Sequence, residues 1–194
     1  MKIRYLPNAI SLVRLAAVPV LLWLACNQDQ RSFAWLILVA GLTDVLDGWL
    51  ARRFGWTSAL GAMLDSISDL LLILVAIYGI WSMQQHVFLE NWMVFATVVG
   101  TWTIVHLTAL LRYGRLASFH TRFTQLGILA FGGFVLVLFF HDFLPVVFYL
   151  AATICFLGGI ESLIMILLIA EWTPDLRAGL PEALRRRREL ASRK

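Results

Sequence analysis

The chain has 194 residues, of which 60% are hydrophobic and only 14% are charged, and its formal net charge is +4. This balance excludes an ordinary soluble domain and indicates a polytopic membrane protein, and we expect no nucleic-acid partner. The two cysteines, Cys26 and Cys155, are too few for a disulfide framework or a zinc cluster.

Six apolar runs are long enough to cross a bilayer, because about 20 residues of α-helix span its hydrocarbon layer. Arg14 and Pro19 interrupt the first run, which favours a retained span over a cleaved signal peptide. The sequence therefore predicts an all-α integral membrane protein with six transmembrane helices, in which residues 1–174 form the catalytic domain. In chain order, the predicted spans cover about 7–25, 32–52, 57–81, 88–111, 123–140 and 145–170.

Lysine and arginine are distributed unevenly between the two sides of these spans. With a cytoplasmic amino terminus, the inner segments collect nearly all of the basic residues, and the outer connections hold only Arg31. We therefore expect a multi-pass protein of the cytoplasmic (inner) membrane with both termini in the cytoplasm. The basic tail, residues 175–194, is predicted to lie on anionic lipid headgroups.

Four aspartates interrupt the second and third spans. Asp44 and Asp47 are three residues apart, and Asp65 and Asp69 are four apart, so each pair lies on one helix face. An antiparallel hairpin that turns at residues 54–55 would bring the two pairs to a similar depth, about 15 Å of helix from the turn.

Four ionised carboxylates at that depth need compensating positive charge. Arg14 is the one basic residue deep in a span, so the protein's own bases do not match the acids in number. Ligation by oxygen alone suits a hard divalent ion, Mg²⁺ or Mn²⁺, and four carboxylates suit two ions that clamp a phosphoryl displacement. Intramembrane carboxylates also mark ion pathways, so a divalent cation transporter is the alternative from another functional class.

Small and basic residues accompany the acids at fixed intervals, in the pattern D-x2-D-G-x2-A-R-x8-G-x3-D-x3-D. This pattern resembles the signature of the CDP-alcohol phosphatidyltransferase family at every fixed position. The opening "LPNAISLVRLAAVPV" also resembles the first span of the family's phosphatidylglycerophosphate synthase branch. The residues that form the pattern are Asp44, Asp47, Gly48, Ala51, Arg52, Gly61, Asp65 and Asp69.

The resemblance implies a six-helix bundle that takes part in phospholipid biosynthesis. It would transfer a phosphatidyl group from CDP-diacylglycerol to an alcohol with release of CMP, and the resemblance suggests a homodimer. Asp44, Asp47 and Asp65 would bind the metal ions, and Asp69 would be the catalytic base and a further ligand. The CDP-lipid would be bound by Gly48, Ala51, Arg52 and Gly61.

The alcohol acceptor stays open. Arg112, Arg115 and Arg122 cluster between spans four and five, either as a phosphate pocket for the acceptor or only as positive-inside charge. Glycerol 3-phosphate ranks first, ahead of phosphatidylglycerol, serine or an inositol compound. Phosphatidylglycerophosphate synthases commonly have a lysine directly after the last aspartate, where this chain has Leu70.

Two further polar residues lie within apolar spans. His106 is predicted to be a hydrogen-bonded interior histidine. Glu161, near the middle of the sixth span, is interpreted as a structural partner of Arg14, while a protonated form or an acceptor-binding role stays open.

Overall fold

The computed structural model describes residues 6–54, 59–114 and 121–168, and all regular structure in these ranges is helical. The side chains of some residues inside the helices lie outside this description. In chain order, the helices are α1 (Leu6–Cys26), α2 (Gln30–Phe54), α3 (Ala59–Met83), α4 (Gln85–Glu90), α5 (Trp92–Tyr113), α6 (Arg122–Phe140) and α7 (Pro145–Leu168).

The helix bounds agree with the predicted spans, except at the start of the fourth span. The predicted span 88–111 corresponds to α5, which begins at Trp92, and the short helix α4 precedes it where an outer loop was expected. The predicted start of this span at residue 88 was wrong because Val87, Phe88 and Leu89 are as apolar as the span that follows them. Val87 is fully buried and Leu89 is 56% exposed, and all three residues belong to the separate helix α4.

Four helices within the described ranges, α1, α5, α6 and α7, are long and apolar enough to cross a membrane. Their length and composition indicate an all-helical membrane protein. Helices α2 and α3 have 25 residues each, which is about 37 Å of helix. Among the described residues, Ile67–Met83 of α3 forms a further apolar stretch, which is shorter than the four spans.

The helices belong to two compact units. The first contains α1 to α4 and the end of α6, and the second contains α5, the first part of α6 and α7. The predicted catalytic domain, residues 1–174, and basic tail, residues 175–194, stay predictions, because residues 169–194 lie outside the described residues.

In the first unit, α1 packs against both α2 and α3, whereas α2 and α3 contact each other only slightly. Ser68 Oγ donates to the carbonyl of Ser11 at 3.2 Å, and Ser82 Oγ donates to the carbonyl of Ala25 at 3.2 Å. Both pairs are separated by 57 residues, so α1 and α3 run parallel in constant register. The buried residues of α1 are Ser11, Arg14, Val18, Leu21, Leu24 and Ala25.

Hydrogen bonds hold the other ends of these helices together. Gln28 Nε2 donates to Ser82 Oγ at 2.9 Å, and Gln84 Nε2 donates to Gln30 Oε1 at 3.0 Å. Asp29 caps α2 by accepting the backbone N–H of Ser32 at 3.1 Å. Hydrogen bonds from the side chain and backbone of Ser32 lower the pKa of Asp29 below its ordinary value.

The second unit is built on contacts between α5 and α7. Val105, Ala109, Met165 and Ile166 form its buried apolar cluster. His106 is half-buried, and its Nδ1 lies 2.9 Å from the carbonyl oxygen of Trp102. The predicted hydrogen-bonded histidine is therefore confirmed.

Gly79 is the point at which α3 meets a side chain of α2. The ring of Phe33 is fully buried and packs edge to face against Phe139, with ring centroids 5.1 Å apart. A Cβ atom on Gly79 would lie 2.5 Å from Phe33 Cζ. Since the buried ring also contacts Phe139, movement of the ring away from an added methyl group would disturb that contact.

We expect Gly79→Ala to lower the free energy of unfolding by about 1–3 kcal/mol, because the added methyl group overpacks the buried Phe33 ring. Gly41→Ala is the matched control, since a Cβ there meets nothing within 4 Å. It should be neutral or slightly stabilising, as alanine favours a helix. Thermal unfolding of both variants in detergent is the measurement, and equal melting temperatures would contradict the prediction.

Candidate functional site

Arg14 lies on α1 about 12 Å of helix from Leu6 and connects the two acid-bearing helices. Its side chain has no exposed surface. Its Nη1 forms an ion pair with Oδ1 of Asp44 on α2, and a second with Oδ1 of Asp69 on α3 at 3.1 Å. One guanidinium nitrogen thus holds the first and the last aspartate of the sequence pattern.

The shared nitrogen fixes how close the two acids are. Two oxygens that each lie within hydrogen-bond reach of one atom are at most about 6 Å apart. The side chains of Asp44 and Asp69 are 33% and 38% exposed, whereas that of Arg14 is 0% exposed. The carboxylates therefore border accessible space, and their positive partner reaches them from the buried side.

The other six positions of the pattern lie on α2 and α3, but their side-chain surroundings lie outside the described residues. Their convergence on Asp44 and Asp69 stays a prediction. These positions are Asp47, Gly48, Ala51, Arg52, Gly61 and Asp65.

The basic cluster predicted to bind the acceptor is only partly described. Arg112 is exposed in the last turn of α5. Arg122 is the first residue of α6, with its side chain outside the described residues, and Arg115 lies outside them altogether. Their grouping into one pocket stays a prediction.

The role of Arg14 beside the acids was not predicted from the sequence. The spacing predicted that the acid pairs of α2 and α3 face each other directly, and Arg14 was expected to pair with Glu161. In the structure, α1 approaches both acidic helices, and Arg14 pairs with Asp44 and Asp69. The available signal was that a lone arginine deep in a span needs a carboxylate partner. The pairing with Glu161, half-buried on α7, stays a prediction.

The donor chemistry at this place fits a divalent cation. Asp44 and Asp69 offer only oxygen atoms, which Mg²⁺ and Mn²⁺ prefer, and both are accessible. Among the side chains that the structure describes, no group of three or more His, Cys, Asp or Glu residues is placed to hold a metal ion. Only two of the four predicted ligands are within that description. The Arg14 guanidinium balances one of the two formal negative charges of Asp44 and Asp69, so this pair of acids retains capacity for added positive charge.

Residues 4–170 match the model of the CDP-alcohol phosphatidyltransferase family. The chain belongs to this family. The match covers most of its length, including both acidic helices and Arg14.

The similar proteins reported below have names of two kinds, cardiolipin synthase and CDP-diacylglycerol–glycerol-3-phosphate 3-phosphatidyltransferase. Cardiolipin synthase (CMP-forming) of Streptomyces coelicolor is 42% identical over 81 residues, which cover 39% of this chain and 38% of that protein. The CDP-diacylglycerol–glycerol-3-phosphate 3-phosphatidyltransferase of Rickettsia bellii is 35% identical over 71 residues, 35% of this chain and 39% of that protein. Its counterpart in Pseudomonas fluorescens is 31% identical over 103 residues, 52% of each chain. The chain thus spans about half or less of these relatives' lengths, and no solved structure matches it significantly.

Ser68 sets the approach of α1 to α3 beside Asp69. It is fully buried, and its Oγ donates to the carbonyls of Ser11 and Leu64. We expect Ser68→Ala to cost about 1 kcal/mol or less, since it removes a hydrogen bond but keeps the close approach. Ser68→Leu should cost about 1–3 kcal/mol by overpacking, and it should move Arg14 away from Asp69.

Thermal unfolding in detergent distinguishes these variants. Ile67→Phe is the control, because Ile67 precedes Ser68 on α3 and is 39% exposed, so that its enlargement has room. A Ser68→Leu protein as stable as Ser68→Ala would show that close packing at this position does not hold α1 on α3.

Proposed function

We propose that this protein transfers the phosphatidyl group of CDP-diacylglycerol to an alcohol with release of CMP, with glycerol 3-phosphate as the first-ranked acceptor. The observation that carries the proposal is the meeting of Asp44 and Asp69, the outermost acids of the motif, beside accessible space. The names of the Rickettsia bellii and Pseudomonas fluorescens relatives support the acceptor. The relatives named cardiolipin synthase support a second acceptor, phosphatidylglycerol, as the alternative.

The acids are proposed to hold two divalent ions, Mg²⁺ or Mn²⁺, through Asp44, Asp47, Asp65 and Asp69. Such ions, when bound, neutralise the diphosphate and stabilise the charge that develops during phosphoryl transfer. Gly48, Ala51 and Gly61 would leave room for the cytidine diphosphate, and Arg52 would bind a phosphate group.

Asp69 is proposed as the general base. Its partly exposed carboxylate would accept the proton of the acceptor hydroxyl. The acceptor oxygen then forms a bond to the phosphorus that carries diacylglycerol, the bond from that phosphorus to CMP breaks, and CMP leaves with the electron pair. Arg112, Arg115 and Arg122 would bind the phosphate of a phosphorylated acceptor.

The membrane arrangement we propose has six crossings and both termini in the cytoplasm of a cell whose inner membrane holds the protein. Helices α2 and α3 are long enough to complete the six. Such placement would leave the acyl chains of the CDP-lipid in the bilayer and bring its headgroup to the acids from the cytoplasmic side. We also propose that the protein forms a homodimer and that its basic tail, residues 175–194, binds lipid headgroups.

The function is tested directly by incubating the purified protein with CDP-diacylglycerol and Mg²⁺ or Mn²⁺. CMP release is the measurement. The acceptor panel contains glycerol 3-phosphate, phosphatidylglycerol, serine and an inositol phosphate. We expect CMP only when both an acceptor and a divalent ion are present, with the highest rate for glycerol 3-phosphate. A higher rate with another acceptor would revise the acceptor alone. Divalent-ion flux into liposomes without CMP from any acceptor would overturn the transferase in favour of a transporter.

Asp69→Asn should lower kcat by about 100- to 10,000-fold, the usual contribution of a positioned general base. Binding of the CDP-lipid should change little, since an amide preserves the size and one oxygen of the side chain. Asp142→Asn is the control, because Asp142 follows α6 and its Oδ1 accepts only a local hydrogen bond from the backbone of Phe143. Near-normal CMP release by Asp69→Asn would remove this residue from the role of base.

A further inference from the structure

The ion pairs of Arg14 use atoms that a divalent cation would also need. Oδ1 of Asp44 and Oδ1 of Asp69 both contact the same guanidinium nitrogen. A carboxylate oxygen that accepts a charge-assisted hydrogen bond has less electron density available for a metal ion. Positive charge at the guanidinium also repels an approaching cation. Arg14 and a divalent ion are therefore competitors for these two acids.

The exposed fractions of the three side chains show from which side Arg14 and a divalent cation each reach the two carboxylates. The guanidinium is fully buried, whereas both carboxylates are more than 30% exposed. A cation can thus reach the carboxylates from the open side while α1 stays packed against α2 and α3.

We propose that Arg14 is an exchangeable counter-charge. It holds Asp44 and Asp69 together in the ion-free protein, and entry of divalent ions displaces its Nη1 from their oxygens. This inference rests on the proposed metal-dependent function and adds a residue of α1 to it, as a positioning residue.

The test compares Arg14→Gln with the wild-type full-length protein, in nanodiscs of zwitterionic lipid and without CDP-lipid. Free Mn²⁺ measured by electron paramagnetic resonance gives the binding affinity. We expect Arg14→Gln to bind Mn²⁺ about tenfold more tightly, the order of magnitude of one charge-assisted hydrogen bond. Unchanged or weaker Mn²⁺ binding by this variant would overturn the inference.

Thermal unfolding is the second measurement. Its result distinguishes an exchangeable Arg14 from an Arg14 with a purely structural role. In chelator, Arg14→Gln should melt below the wild type, because the acids then repel one another. Saturating Mn²⁺ should remove most of that difference. A loss of the same size with and without Mn²⁺ would identify Arg14 as a structural partner only.

Two further variants complete the design. Arg31→Gln removes the same charge from an exposed position at the start of α2 and should change neither measurement. Arg14→Lys keeps a buried positive charge without the planar guanidinium, so it serves if Arg14→Gln fails to fold. We expect it to tighten Mn²⁺ binding in the same direction by a smaller factor, and an unchanged affinity would count against the inference.

The design separates this inference from the proposed function. A wild-type protein that binds no Mn²⁺ at millimolar concentration would overturn the metal site and the inference together. Mn²⁺ binding and CMP release that are intact in the wild type, with no tightening in either Arg14 variant, would overturn the inference alone.

Discussion

The placement of one buried positive charge governs the arrangement of the first unit. A guanidinium without exposed surface in an apolar helix costs several kcal/mol unless carboxylates meet it. The carboxylates that meet Arg14 come from two different helices, Asp44 on α2 and Asp69 on α3. The helix α1 must therefore contact both, and through it two acids that are 25 positions apart in sequence reach one nitrogen atom.

Small side chains make this contact close enough for the ion pairs. Ser11 and Ser68 are both buried where α1 meets α3, and a hydroxyl group there bonds to the facing backbone. In a membrane, helices gain little from apolar contact alone, so close approach and hydrogen bonds between them carry more weight. The first helix contains no residue of the acidic motif, yet its packing decides where two of the motif's acids lie.

The sequence predicted the individual helices well, but it did not predict that α1 contacts both acidic helices through Arg14. Helix bounds follow from apolar run length, which is a local property, and they failed only where Val87, Phe88 and Leu89 extend the apolar run ahead of Asn91. The position of α1 is a tertiary property, and spacing within α2 and α3 carries no information about it. Spacing alone therefore predicted a direct hairpin of acids.

The ratio of one guanidinium, Arg14, to two carboxylates, Asp44 and Asp69, has a physical consequence. A second buried base would balance both acids, and a cation would then have no unbalanced charge to attract it. With no base at all, the two acids would hold like charges at close range in a low dielectric, where repulsion is strongest. A single guanidinium lowers that repulsion and leaves the pair of acids with a net negative charge. Since Arg14 is fixed on the buried side and the carboxylates of Asp44 and Asp69 are accessible, partial compensation stabilises the fold without closing the site to cations.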